Sequence, residues 1–186
     1  SPAAELRNLL NEVEILFAKR LNHQAFIRIN KAKKLAKTHY VFIPRLELTL
    51  LEKLNTSQYK IKKRESLISK QQDVLQNLMI KIDNELKMKA IFDVVFIRAS
   101  MSSQHVEFFE ELPEKLTELM KNIRYEEQSP YFQIQLHSCW GMSYLIQRDY
   151  GAQFESYINL HKIYETYPKI IELNEERYLN SVNNFV

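Results

Sequence analysis

Apolar residues between Leu6 and Leu21 recur at helical spacing, with Leu6, Leu9, Leu10, Val13, Leu16 and Phe17 on one stripe and charged residues on the other faces. That pattern predicts an amphipathic helix. Asn22-His23 interrupts it, and Ala25, Phe26, Ile29, Ala32, Leu35 and Ala36 then form a second stripe with small residues on its packing face. Two helices joined so closely lie antiparallel, as a helical hairpin. A third helix is expected from about Pro44, which suits a first turn, to Leu54, with Asn55-Thr56-Ser57-Gln58 as a loop.

From about Arg64 to Ser100 there is neither Gly nor Pro. Leu67, Ile68, Val74, Leu75, Leu78, Ile82, Leu86, Ile91, Val94, Val95 and Ile97 keep a helical beat. The reading is one long helix, or two with a break near Asp83-Asn84. Met101-Ser102-Ser103 marks the next boundary, with Ser103 as N-cap of a helix through Phe109, which Pro113 should bend or restart before Leu116, Leu119 and Met120. Tyr125 to Pro130 reads as a loop, and Ser129 before Pro130 as a helix start. The helix that follows should run to about Arg148. Asp149-Tyr150-Gly151 should break it, another should reach about Tyr167 and stop at Pro168, and a last should begin after Asn174. The apolar face of that last segment, Tyr178, Leu179, Val182 and Phe185, has no following helix to cover it.

Composition narrows the fold class. The chain has 186 residues, 45% of them hydrophobic, which is enough to bury a core. Two Gly and five Pro fall far below the average usage of ~7% and ~5%. Sandwiches, barrels and glycine-built phosphate loops need more turn residues than that. The expected class is all-α, a single solenoid segment over residues 1–186. It holds a hairpin at about 5–38, long central helices at about 44–123, a second hairpin at about 131–167 and a partial last helix at 175–186. The single Cys139 cannot close an internal disulfide and suits a reducing, cytoplasmic setting. No apolar run approaches a membrane span, and the first residues lack the pattern of a signal peptide.

The stretch Trp140-Gly141-Met142-Ser143-Tyr144, then Arg148-Asp149-Tyr150, Tyr157 and Pro168, resembles a tetratricopeptide repeat. In that family a small residue in the first helix lets the second approach, aromatic residues fill the space between, and a proline closes the unit. By resemblance Gly141 is the small residue, Tyr144 and Tyr157 the fillers, Asp149-Tyr150 the turn and Pro168 the terminator, while Gln153 stands where the family has alanine. The first hairpin resembles the same family through Ala25, Ile29 and Ala32. The order of segments is similar to that of longer tetratricopeptide-like proteins of bacteria, which makes this chain an internal segment. The resemblance implies a right-handed α-α superhelix of antiparallel hairpins and protein binding, with no catalytic residue and no cofactor. In such arrays the first helix of each pair builds the concave wall. Around Val13 that wall would expose Arg7, Leu10, Glu14 and Phe17; around Gly141 it would expose Gln135, Ser138, Met142, Leu145 and Ile146. Arg7, Glu14, Phe17, Gln135, Ser138 and Met142 are the expected partner-binding residues. Ala25, Ile29, Ala32, Gly141, Tyr144, Tyr150 and Tyr157 are the expected repeat-packing residues.

The residue chemistry points away from catalysis. His23, His39, His105, His137 and His161 sit in different predicted elements, and no two have the i, i+4 spacing of a helical metal-ligand pair. His137 and Cys139 are two apart, which directs their side chains to different faces of a helix. Glu107, Glu110, Glu111 and Glu114 read as a solvated helix face. The two glycines, Gly141 and Gly151, make no phosphate loop. Basic clusters at Lys31, Lys33, Lys34 and Lys37, and at Lys60, Lys62, Lys63 and Arg64, could grip phosphates. The whole-chain balance of 26 Lys and Arg against 23 Asp and Glu argues against nucleic acid and against a membrane surface. The expected function is a non-enzymatic scaffold that binds a protein or peptide on its concave face. The alternatives are a nucleic-acid-associated module and a homo-oligomer joined through the uncovered C-terminal face.

Overall fold

The computed structural model describes residues 2–55, 61–100 and 106–173, and every regular element among them is helical. The elements are α1 (Pro2–Ala18), α2 (Asn22–Thr38), α3 (Phe42–Leu54), α4 (Ile61–Ser100), α5 (Val106–Met120), a 3-10 turn at Tyr125–Glu127, α6 (Pro130–Gln147), α7 (Tyr150–Thr166) and α8 (Lys169–Leu173). The expected all-α class holds for these residues. They form two compact units, residues 1–83 and 84–186, with α4 contributing its first part to one and its second part to the other. The helix is unbroken at Asp83-Asn84. Two weak helix formers are too small a penalty to interrupt an otherwise regular run.

In the first unit α1 and α2 form the expected antiparallel hairpin, and α3 packs on both. Leu6, Leu9, Leu10 and Val13 of α1 meet Ile29, Ala32 and Ala36 of α2 and Leu48 of α3 in one buried cluster. Pro44 sits in the first turn of α3, where a missing N–H leaves no bond unmade. Glu52 of α3 accepts from Lys33 of α2 at 2.5 Å and from Gln71 of α4 at 2.9 Å. Lys81 lies over the Phe42 ring, 5.9 Å from its centroid, so α3 and the first part of α4 run antiparallel.

In the second unit α6 is buried on nearly every face. Phe132, Leu136 and Cys139 pack with Met88 and Val95 of α4 and with Phe109, Leu112 and Leu116 of α5. Ile134 packs instead with Leu160, Ile163 and Tyr164 of α7 and Ile170 of α8. Ser129 caps α6 as expected, its side chain accepting from the Phe132 N–H at 3.2 Å with Pro130 behind it.

Pro113 does not restart a helix: α5 runs through it. A proline at this position deprives the carbonyl four residues earlier, that of Phe109, of its helical donor. That oxygen is bonded instead from α6, by the Ser143 hydroxyl and by Gln147 Nε2 at 2.7 Å. A helix from another part of the chain thus satisfies the group whose exposure makes proline a helix breaker.

With two glycines in the chain, left-handed helix caps fall to other residues. Arg20, Tyr40 and Arg148 have φ of 59°, 55° and 60°. After each, the next N–H reaches back five residues, from Leu21 to Leu16 at 2.9 Å, from Val41 to Ala36 at 3.0 Å and from Asp149 to Tyr144 at 2.9 Å. This is the Schellman closure that glycine usually serves. The first break is therefore at Lys19-Arg20-Leu21, and Asn22 already opens α2. Likewise Gly151 lies inside α7. Asp149 is that helix's N-cap, accepting from the Ala152 N–H at 3.1 Å. Pro168 does follow the end of α7, and a short helix starts at once with Lys169, while the helix expected after Asn174 lies outside the described residues. Ser103, the loop residues Thr56 to Gln58 and the face carrying Tyr178, Leu179, Val182 and Phe185 lie outside the described residues.

Candidate functional site

Beside the buried seam of the first hairpin, α1 and α2 enclose an open groove of about 390 Å³ lined by Glu12, Ile15, Leu16, Gln24, Ile27 and Arg28. Ile15 and Ile27 lie off the apolar stripes of their own helices, and each is more than half exposed, at 54% and 53%. Arg28 Nε and Glu12 form a 3.0 Å ion pair across the groove's lining, and Lys31 pairs with Glu5 at 3.1 Å farther along the hairpin. The antiparallel register sets this layout, since residues near one end of α1 face residues near the opposite end of α2. Chemically the groove offers a hydrophobic floor with an ion pair at its side. That combination fits an apolar side chain of a docked segment better than a reacting substrate.

The expected binding residues are divided. Arg7 and Glu14 are exposed. Leu10 is buried at 6% exposure in the hairpin core, and Phe17 packs edge-on against Phe26 with ring centroids 5.6 Å apart. Around Gly141, Gln135 and Ser138 are half-buried, and the Ser138 hydroxyl is turned back to the Ile134 carbonyl at 2.8 Å. Met142 and Ile146 pack against the α4–α5–α6 core. The helix pattern alone cannot tell which of two apolar faces a neighbour covers; here α4 and α5 take up Met142 and Ile146, while Leu145 is exposed at 46%.

Most of the residues expected to pack are buried or half-buried. Ala25, Ile29 and Ala32 are fully buried. Gly141 is buried against α7, where an added Cβ would lie 3.7 Å from the Tyr157 ring and 3.8 Å from Ser156 Cβ. Tyr157 is half-buried against the α7–α8 cluster, and Tyr144 is half-buried. Tyr150, the first residue of α7, is 64% exposed.

Four titratable groups of the second unit are buried or half-buried. His137 is 7% exposed, with Tyr125 and Trp140 rings set edge-on to it and its Nε2 hydrogen-bonded with the Tyr125 hydroxyl at 3.0 Å. Burial pulls the imidazole down to about 4. Burial, with lesser contributions from Tyr167 and Glu126, pushes the Tyr125 hydroxyl up to about 12. Burial pushes the Cys139 thiol up to about 12 as well, so it stays a protonated core residue. Glu85 is raised by burial, against the lowering effect of the hydrogen bond donated by Ser129. Among the described residues no three His, Cys, Asp or Glu side chains gather as metal ligands do. No described helix is long and apolar enough to cross a membrane.

The basic clusters also divide. Of the first, Lys31 and Lys33 are engaged with Glu5 and Glu52, while Lys34 and Lys37 are exposed. The side chains of the second, Lys60, Lys62, Lys63 and Arg64, lie outside the described residues. The overall charge is unevenly shared. Residues 1–83 hold 16 of the 26 Lys and Arg and 8 of the 23 Asp and Glu, whereas residues 84–186 hold the other 10 and 15. The formal charges are therefore +8 and −5, an asymmetry hidden in the whole-chain balance.

No protein-family model matches the chain, and no curated protein or solved structure matches it.

Proposed function

We propose that the chain is a non-enzymatic scaffold built from tetratricopeptide-like hairpins, α1–α2 and α6–α7, that docks a peptide or a partner helix on its first hairpin. The observation that carries this reading is the α1–α2 groove, with Ile15 and Ile27 held outward on helices whose other large apolar residues are buried or half-buried. The small-to-aromatic approach of Gly141 to Tyr157 supports the repeat character of the second hairpin. A right-handed superhelical stacking of such hairpins and a cytoplasmic setting for the buried Cys139 complete the proposal. A groove on packed helices is already ordered, which lowers the entropic cost of binding. Capture with the whole chain and with Ile27→Glu tests it. The expected result is a protein retained by the wild type and lost from the variant at unchanged thermal stability. Equal recovery by both, or none by either, overturns the reading.

A further inference from the structure

We propose that the α1–α2 groove selects an acidic amphipathic helix of a partner protein. This deepens the scaffold reading and rests on it. The apolar half of the recognition is the pair Ile15 and Ile27, one from each helix, with Leu16 also in the groove lining. An amphipathic helix presents apolar residues at i, i+3, i+4 and i+7, and α1, 17 residues long, offers a partner about 25 Å of parallel surface.

The charged half comes from the surplus of cations on the hairpin that carries the groove. Residues 1–41 hold eight Lys and Arg but only three acids, Glu5, Glu12 and Glu14. Glu5 and Glu12 are engaged with Lys31 and Arg28, and Lys33 reaches Glu52 of α3. Arg7, Lys19, Arg20, Lys34 and Lys37 are all exposed and, among the described residues, none of them forms an ion pair. A partner carrying Asp and Glu beside its apolar stripe would meet those on the groove side, Lys19 one turn beyond Ile15 and Lys34 two turns beyond Ile27, while one carrying Lys and Arg would be repelled. The hairpin already receives one helix in this way on its other side. There Leu48 of α3 enters the core while Glu52 meets Lys33. Nucleic acid would use the cations but leave Ile15 and Ile27 without an apolar partner, so a protein helix accounts for more of the surface.

Selection of displayed random peptides of ~18 residues on the whole chain tests the proposal, since that length gives a helix five turns. The expected outcome is enrichment of sequences with apolar residues at helical spacing and Asp or Glu on the flanking faces. Their binding should weaken by about tenfold or more in Ile27→Asp and in the Lys19→Glu, Arg20→Glu double variant, each keeping the wild-type melting curve. Enrichment of neutral or basic helices, or of acidic helices that bind both variants as well as the wild type, overturns the acidic-helix proposal and leaves the scaffold reading standing. No enriched peptide at all overturns both. A shift of generic RNA or DNA that the double variant abolishes, with no peptide selected, assigns the cations to nucleic acid and likewise overturns both.

Discussion

Gln147 donates its side-chain amide to the carbonyl of Phe109 at 2.7 Å, and the Ser143 hydroxyl donates to the same oxygen. That oxygen is the one Pro113 cannot bond within α5. Removing both donors, as Ser143→Ala with Gln147→Ala, should destabilise the second unit by about 1–3 kcal/mol, because a buried acceptor is left unmet. In a Pro113→Ala background the helix supplies its own N–H, and the same double substitution should cost clearly less. Chemical denaturation of the four proteins measures the coupling. Equal costs in both backgrounds would show that the α6 donors do not compensate for the proline.

Gly141 stands at a spacing where a methyl group fits and a branched side chain does not. A Cβ there meets the Tyr157 ring at 3.7 Å, which is ordinary contact. Gly141→Ala should therefore be neutral or stabilising by up to ~1 kcal/mol, the helix-propensity gain over glycine. Gly141→Leu should destabilise by about 1–3 kcal/mol through overpacking against α7. Thermal melts of the two variants in opposite directions are the expected result, and unchanged stability in the leucine variant would contradict the α6–α7 packing.

Arg148 takes φ of 60° to close α6, a conformation that burdens any residue with a Cβ. Its side chain is exposed, so little packing is lost with it. Arg148→Gly should raise stability by about 1 kcal/mol, visible as a melting temperature several degrees higher. Arg148→Val, which resists the left-handed region more strongly, should lower it.

The His137 imidazole takes up its proton near 6.5 when unfolded and near 4 when folded. The unfolded state thus binds the proton first as pH falls. The stability due to a neutral His137 is whole above pH 6.5 and is lost progressively down to about pH 4, by up to about 3 kcal/mol. Glu85, raised by burial, acts in the opposite sense, since its contribution is present at low pH and lost as pH rises through its folded value. Denaturation of wild type and His137→Gln between pH 4 and 7 separates the two, because Glu85 is common to both. The variant should show the flatter profile, and parallel profiles would show that His137 does not titrate as its burial requires.

The helices and both hairpins were readable in the sequence because each amphipathic stripe, such as Leu9, Val13 and Leu16, repeats with the helix period. Tolerance of Pro113 was not, since the donors that make it harmless are 34 and 38 residues from the Phe109 carbonyl they serve. Nor were the caps at Arg20, Tyr40 and Arg148, which use a conformation with no residue signal when glycine is absent. The candidate site was half legible. Arg7 and Glu14 are exposed as expected, but Leu10 and Met142 belong to cores, because periodicity finds an apolar face without naming its neighbour. Two signals for the groove were present. Ile15 and Ile27 stand off their helices' stripes, and counting charge by halves separates +8 from −5.

Cys139 makes the second unit a sensor of its own opening. Its sulfur is the sole thiol of the chain, fully enclosed where α4, α5 and α6 converge. An alkylating reagent can reach it only in the fraction of molecules that have parted those helices. The pace of labelling under native conditions therefore gauges how often that happens, without any probe having to be introduced.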